Sequence, residues 1–206
     1  NFTDFTLPLG DDYLFVVEKK FDFENDIFAP SARLSAIKNN NTNQVTIKRC
    51  LFTNCSVRSE NGNGGAILSI NCGLSCQTSE FNNCSSRTGG GGGGLFIVLN
   101  EKIDEKVLIS QCTFTSCSAL FGSGIYAYSQ IETNEIRIEK CTFAFNKILP
   151  LKENTLTGGS AIYLQAKRAL TIRCSFKQNK GDCSVKVDND FDNVAIPVIK
   201  KLFSTP

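Results

Sequence analysis

The chain has 206 residues, 41% of them hydrophobic, and 22 Lys and Arg against 20 Asp and Glu give a formal net charge of +2. That length supports one sizeable core, while balanced charge without a basic run offers no patch for nucleic acid or an anionic membrane. The longest apolar runs, such as Leu95 to Leu99, fall far short of the roughly 20 residues a membrane helix requires. No His is present, which excludes His-dependent catalytic triads and His-ligated metal centres. The start lacks both Met and a basic-plus-apolar leader, as expected of a fragment or of a chain beginning at a processing site.

Residues 1–20, with Tyr13-Leu14-Phe15-Val16-Val17, form an expected N-terminal cap or docking strand. Residues 21–190 are dominated by one recurring motif: Cys50-Leu51-Phe52-Thr53-Asn54-Cys55, Ser79-Glu80-Phe81-Asn82-Asn83-Cys84, Cys112-Thr113-Phe114-Thr115-Ser116-Cys117, Cys141-Thr142-Phe143-Ala144-Phe145-Asn146 and Cys174-Ser175-Phe176-Lys177-Gln178-Asn179, with a weaker first copy at Phe21-Asp22-Phe23. From Phe23 through Phe52, Phe81, Phe114 and Phe143 to Phe176 the steps are 29, 29, 33, 29 and 33 residues. A second element, small residues leading into an apolar run, recurs between them at Gly64-Gly65-Ala66-Ile67, Gly93-Gly94-Leu95-Phe96, Gly122-Ser123-Gly124-Ile125 and Gly158-Gly159-Ser160-Ala161-Ile162. Degenerate members are expected at Ser31-Ala32-Arg33-Leu34-Ser35-Ala36-Ile37 and Ser184-Val185-Lys186-Val187.

Segments such as Val45-Thr46-Ile47, Val107-Leu108-Ile109 and Ile136-Arg137-Ile138 alternate as half-buried strands do, and no helical period appears. Repeats of about 30 residues built from short strands and glycine turns are best satisfied by stacked coils. The expectation is an all-β, right-handed parallel β-helix of about six coils, with the six phenylalanines in one interior column. The six-glycine run Gly89 to Gly94 precedes Leu95-Phe96 rather than Lys-Ser/Thr, so it reads as a flexible loop between coils, not a phosphate loop. Residues 191–206, with Val194-Ala195-Ile196-Pro197-Val198-Ile199, are the expected C-terminal cap or docking tail.

The pairing of G-G-A-[ILV] with F-x-x-N, here Gly64-Gly65-Ala66-Ile67, Phe143-Ala144-Phe145-Asn146 and Phe176-Lys177-Gln178-Asn179, resembles the repeats of chlamydial polymorphic outer-membrane proteins and similar protist surface proteins. The resemblance spans most of residues 21–188 and implies a right-handed β-helix displayed at a cell surface and associated with adhesion. Cys55, Cys84 and Cys117 stand where the pattern has Asn, and no membrane barrel follows in this sequence, so an autotransporter assignment does not come with it.

Ten cysteines favour disulfides and an oxidising compartment. Strand alternation points Cys50, Cys112, Cys141 and Cys174 inward, and Cys55, Cys84 and Cys117 share the turn position of Asn146 and Asn179. Cys141 with Cys174 is the expected bridge between coils; Cys50 with Cys55 and Cys112 with Cys117 are alternatives within a coil, and Cys72, Cys76, Cys84 and Cys183 stay unassigned. Asn146 and Asn179 are expected to form an inward hydrogen-bonded ladder. Sequons at Asn1, Asn40, Asn54 and Asn83 are candidate glycan sites, with Asn54 and Asn83 facing solvent.

For an enzyme, the candidates are carboxylates: Asp11-Asp12, Asp104-Glu105, Glu132 with Glu135, and Asp188, Asp190 and Asp192. The last three make a weak Ca²⁺ candidate; no cofactor is expected. The expected function is an extracellular structural or adhesive module, non-enzymatic, associating end to end or with a host or cell-surface ligand. The alternative is a β-helix that binds carbohydrate or cleaves it as a polysaccharide lyase or glycosidase.

Overall fold

A computed structural model describes residues 15–17, 21–24, 27–28, 35–40, 44–57, 62–86, 90–149, 158–181 and 183–187. They form parallel β-sheets and contain no helix. One coil runs through Ile67–Ile70, Gly73–Gln77, Glu80–Asn82 and Ser85–Ser86, and the next repeats the path as Leu95–Leu99, Val107–Ser110, Thr113–Thr115 and Ser118–Ala119. Each strand pairs in register with its counterpart one coil on: Phe52 with Phe81, Phe81 with Phe114, Phe114 with Phe143, and Phe143 with Phe176.

The first sheet has seven strands, from Phe15–Val17 through Ile37–Asn40, Ile67–Ile70, Leu95–Leu99, Ile125–Ser129 and Ile162–Ala166 to Val185–Val187. The second, from Phe21–Glu24 to Ala169–Ile172, and the third, from Ile27–Phe28 to Ser175–Lys177, have six each, and the fourth has four, at Ser56–Val57, Ser85–Ser86, Ser118–Ala119 and Lys147–Ile148. Among the described residues four coils therefore have a strand in every sheet, with partial coils at both ends. The all-β parallel solenoid agrees with the expectation, whereas the count of about six coils resolves into four complete ones.

Alternation builds the core. In Leu95–Leu99 the first, third and fifth residues are buried and the others half-buried, as a pleated strand with one interior face dictates. The Phe rings stack flat, with centroids 4.8, 4.6, 4.9 and 5.3 Å apart from Phe52 to Phe176. That spacing is the strand spacing itself, so ring packing and backbone pairing are satisfied together.

Sharp corners come from single residues in the left-handed region. Arg49, Thr78, Gln111, Lys140 and Arg173 share one corner, with φ between 50° and 55°; Asn54, Asn83, Ser116, Phe145 and Gln178 share the next, with φ between 49° and 58°. One such residue reverses the pleat and turns the chain between sheets.

Two expectations are corrected here. Phe23 does not join the Phe column: Phe23 pairs with Ile47 in the second sheet, and Phe28 pairs with Phe52. The alternation Phe21-Asp22-Phe23 matches Val45-Thr46-Ile47, so the 29-residue step from Phe23 to Phe52 is a coincidence of spacing. Of the run Gly89 to Gly94, Gly89 lies outside the described residues, and Gly90 to Gly94 are all buried instead of standing out as a loop between coils. Gly92 takes φ 66°, and a Cβ on Gly93 would lie 2.4 Å from the carbonyl oxygen of Ser123 in the next coil. Glycine is required there by the close approach of two backbones.

Candidate functional site

The cysteines form interior lines. In the corner two residues before the Phe column stand Cys50, Ser79, Cys112, Cys141 and Cys174; in the corner three residues after it stand Cys55, Cys84, Cys117, Asn146 and Asn179. All but Cys174 and Cys183, which are half-buried, lie in the interior, and no pair of the ten is joined. Cys76 and Cys112 bring their sulfurs to 3.7 Å. The bridges expected for Cys141 with Cys174, Cys50 with Cys55 and Cys112 with Cys117 are not formed. Cys141 and Cys174 are stacked residues on parallel coils, which hold parallel Cα–Cβ vectors about 4.8 Å apart, whereas a disulfide needs Cβ atoms about 3.8 Å apart with converging vectors; Cys50 and Cys55, like Cys112 and Cys117, stand at two different corners of one coil. The thiols instead donate to backbone carbonyls, Cys112 to Ser110 O at 3.3 Å and Cys141 to Glu139 O at 3.3 Å.

This environment makes the thiols poor acids. Burial first, then the hydrogen bond with Cys84, pushes Cys117 well up. The hydrogen bond with Cys112 raises Cys141 to about 12, outweighing the opposing bond with Cys174, and burial adds to it. At Cys84 and Cys112 a hydrogen bond to the next cysteine, Cys117 or Cys141, lowers the value, but the bond to the preceding one and burial leave both well raised. Inert thiols are what such surroundings produce. Among the described residues no three His, Cys, Asp or Glu are grouped to hold a metal ion.

Where the second line changes from Cys to Asn, a polar ladder forms. Asn146 Nδ2 donates to Phe114 O at 3.0 Å and to Asn179 Oδ1 at 2.9 Å, its Oδ1 accepts from the Cys117 amide at 2.9 Å, and Asn179 Nδ2 donates to Phe143 O at 3.0 Å. These bonds satisfy backbone groups that the corner leaves unpaired.

Of the sequons, Asn54 and Asn83 are exposed on the corner outside this line, and Asn83 Nδ2 donates to Asn54 Oδ1 at 2.8 Å. Asn40 ends the strand Ile37–Asn40; Asn1 lies outside the described residues, as do Asp11, Asp12, Asp188, Asp190, Asp192 and Val194 to Ile199.

The remaining carboxylates meet in a way the sequence did not reveal. Asp104, Glu105 and Glu135 line one shallow depression of about 460 Å³ together with Glu139, Lys106 and Arg137. Glu135 pairs with Arg168 at 3.0 Å, Glu139 with Arg137 at 2.9 Å, and Glu132 with Lys167 at 3.2 Å. Cations thus accompany the acids, an arrangement of solvated surface pairs.

The outer face of the first sheet carries a row that sequence reasoning passed over. Leu68, Phe96, Tyr126 and Tyr163 align, followed by Lys186, with ring centroids 4.6 Å apart for Phe96 and Tyr126 and 5.3 Å for Tyr126 and Tyr163. Their signal was the second residue of each strand after the glycine element, which alternation turns outward. Both faces of Tyr126 are covered by rings, and Lys186 Nζ stands 5.7 Å from the centroid of Tyr163, so this row turns mainly ring edges outward.

At the other extreme the core opens. Phe143, Cys141 and Ile162 are 0% exposed and Leu164 is 1% exposed, yet their counterparts one coil on, Phe176, Cys174, Val185 and Val187, are half-buried.

These features define a class: an all-β parallel solenoid. Comparison with known protein families, curated proteins and solved structures found no match, so this class rests on the geometry of the chain itself. No helix among the described residues is long and apolar enough to cross a membrane.

Proposed function

We propose that this chain is a structural, adhesive surface module that lengthens by stacking head to tail on a second copy. The observation that carries this reading is the opening of the core at Cys174, Phe176, Val185 and Val187, beside strands that end three sheets. The first coil presents the same three sheets through Phe15–Val17, Phe21–Glu24 and Ile27–Phe28. In a parallel stack one edge is complementary to the other, so Phe15–Val17 of a second copy extends the first sheet beyond Val185–Val187. The contact is heterologous and does not close, which makes a filament. Extracellular or cell-surface placement, with glycans at the exposed Asn54 and Asn83, belongs to the same proposal, as does kinship with the chlamydial polymorphic outer-membrane proteins. The role is non-enzymatic: a rigid rod that displays its sides.

Sedimentation velocity across a hundredfold concentration range tests it. The native chain is expected to grow in mass with concentration, and Phe176→Asp together with Val187→Lys to remain monomeric. A native chain that is monomeric throughout, its last coil covered by its own residues, contradicts the proposal.

A further inference from the structure

We infer that Phe145, Lys147 and Lys180 form a binding site for an anionic polysaccharide on the corner between the third and fourth sheets. Phe145 is the exposed large hydrophobic residue of the described chain, at 48%. Its corner column otherwise holds Asn54, Asn83, Ser116 and Gln178, polar residues that accept the left-handed backbone, and Phe145 adopts φ 58° there. A bulky residue in that region is strained, and its amide is held in the ladder by donating to Lys177 O at 3.0 Å. This ring stands outside the core, which the same coil fills with Phe143.

Around the ring lies an open depression of about 520 Å³ lined by Phe145, Lys147, Gln178, Asn179 and Lys180, with no carboxylate among them. Lys147 and Lys180 are stacked partners on adjacent coils, and Lys177 Nζ stands 6.0 Å from the ring centroid. None of these three lysines belongs to an ion pair among the described residues. An aromatic platform beside ammonium groups suits a sugar whose C–H face packs on the ring while its sulfate or carboxylate groups meet the lysines. A lone phosphate is better held by converging forked donors, whereas point charges set along the coil axis suit a polymer with repeated charge. This site does not depend on end-to-end stacking.

Retention of the full chain on immobilised heparin, polygalacturonate, polyphosphate and a neutral glucan, eluted by salt, provides the test. Retention on heparin or polygalacturonate is expected to exceed that on polyphosphate, the two acidic polymers reporting whether sulfate or carboxylate is preferred, and the glucan is expected not to bind. Phe145→Asn introduces the residue already used at Asn54 and Asn83, so the fold is kept; it is expected to weaken binding about tenfold. Lys147→Gln with Lys180→Gln is expected to abolish retention and leave the melting temperature unchanged. Unchanged affinity in Phe145→Asn, retention on polyphosphate equal to that on the acidic polysaccharides, or no retention on either polysaccharide overturns the inference.

Discussion

Replacing Phe114 by Ala removes a fully buried ring with neighbours on both faces, at 4.6 Å to Phe81 and 4.9 Å to Phe143. A buried Phe→Ala change costs about 3–5 kcal/mol, and each stacked pair contributes about 0.5–1.5 kcal/mol of favourable contact. The coils above and below are tied by ladders on four sides and cannot collapse into the gap, which places Phe114→Ala at the upper end, about 5 kcal/mol. Among the described residues Phe176 stacks on one ring, that of Phe143 at 5.3 Å, and it is half-buried, so the matching change there is expected to cost about 2 kcal/mol. Urea unfolding followed by far-ultraviolet circular dichroism, at dilutions where the chain is monomeric, gives both values. Equal losses at the two positions would refute the claim that the rings form one continuous column with an open last member.

Three further outcomes follow from the interior. Asn146→Ala strips the Cys117 amide and the Phe114 carbonyl of their partners and is expected to cost about 2–4 kcal/mol, while Cys117→Asn extends the ladder toward Phe81 O, now 3.4 Å from the thiol, and is expected to be tolerated in the same denaturation assay. Gly93→Ala drives a methyl against the Ser123 and Ser118 carbonyls and is expected to prevent folding or cost at least about 3 kcal/mol, read by loss of the cooperative transition. Because the folded state raises the thiol pKa, to about 12 at Cys141, its stabilising effect is complete below the unfolded value near 8.5 and is lost as pH climbs from there toward the folded value. Stability measured from pH 8 to 11 is therefore expected to fall, and alanine in place of Cys141 to flatten the slope by up to about 1.4 kcal/mol per pH unit.

Most of the fold was legible because stacking repeats one local solution: the Phe spacing, the glycine elements and the strand alternation each set a register, and the registers agree from Phe52 to Phe176. The first coil misled because Phe21-Asp22-Phe23 satisfies two columns equally well in sequence, and only pairing with Val45-Thr46-Ile47 chooses between them. Disulfides were over-read from cysteine count, since alignment in a column brings Cα atoms close while keeping the Cβ vectors parallel. The glycine run appeared flexible because close approach of Ser118 and Ser123 is a property of the neighbouring coil. Phe145 was hidden inside F-x-x-N as an unspecified position; its signal is that a corner requiring φ above zero carries an aromatic where its equivalents are polar.

Electron cryomicroscopy of the concentrated native protein tests the account most directly. It predicts unbranched filaments of single-solenoid width in which a strand spacing of about 4.8 Å continues without a break from Val185–Val187 of one copy into Phe15–Val17 of the next. Separate particles of a single copy, or contacts made side to side, would contradict it.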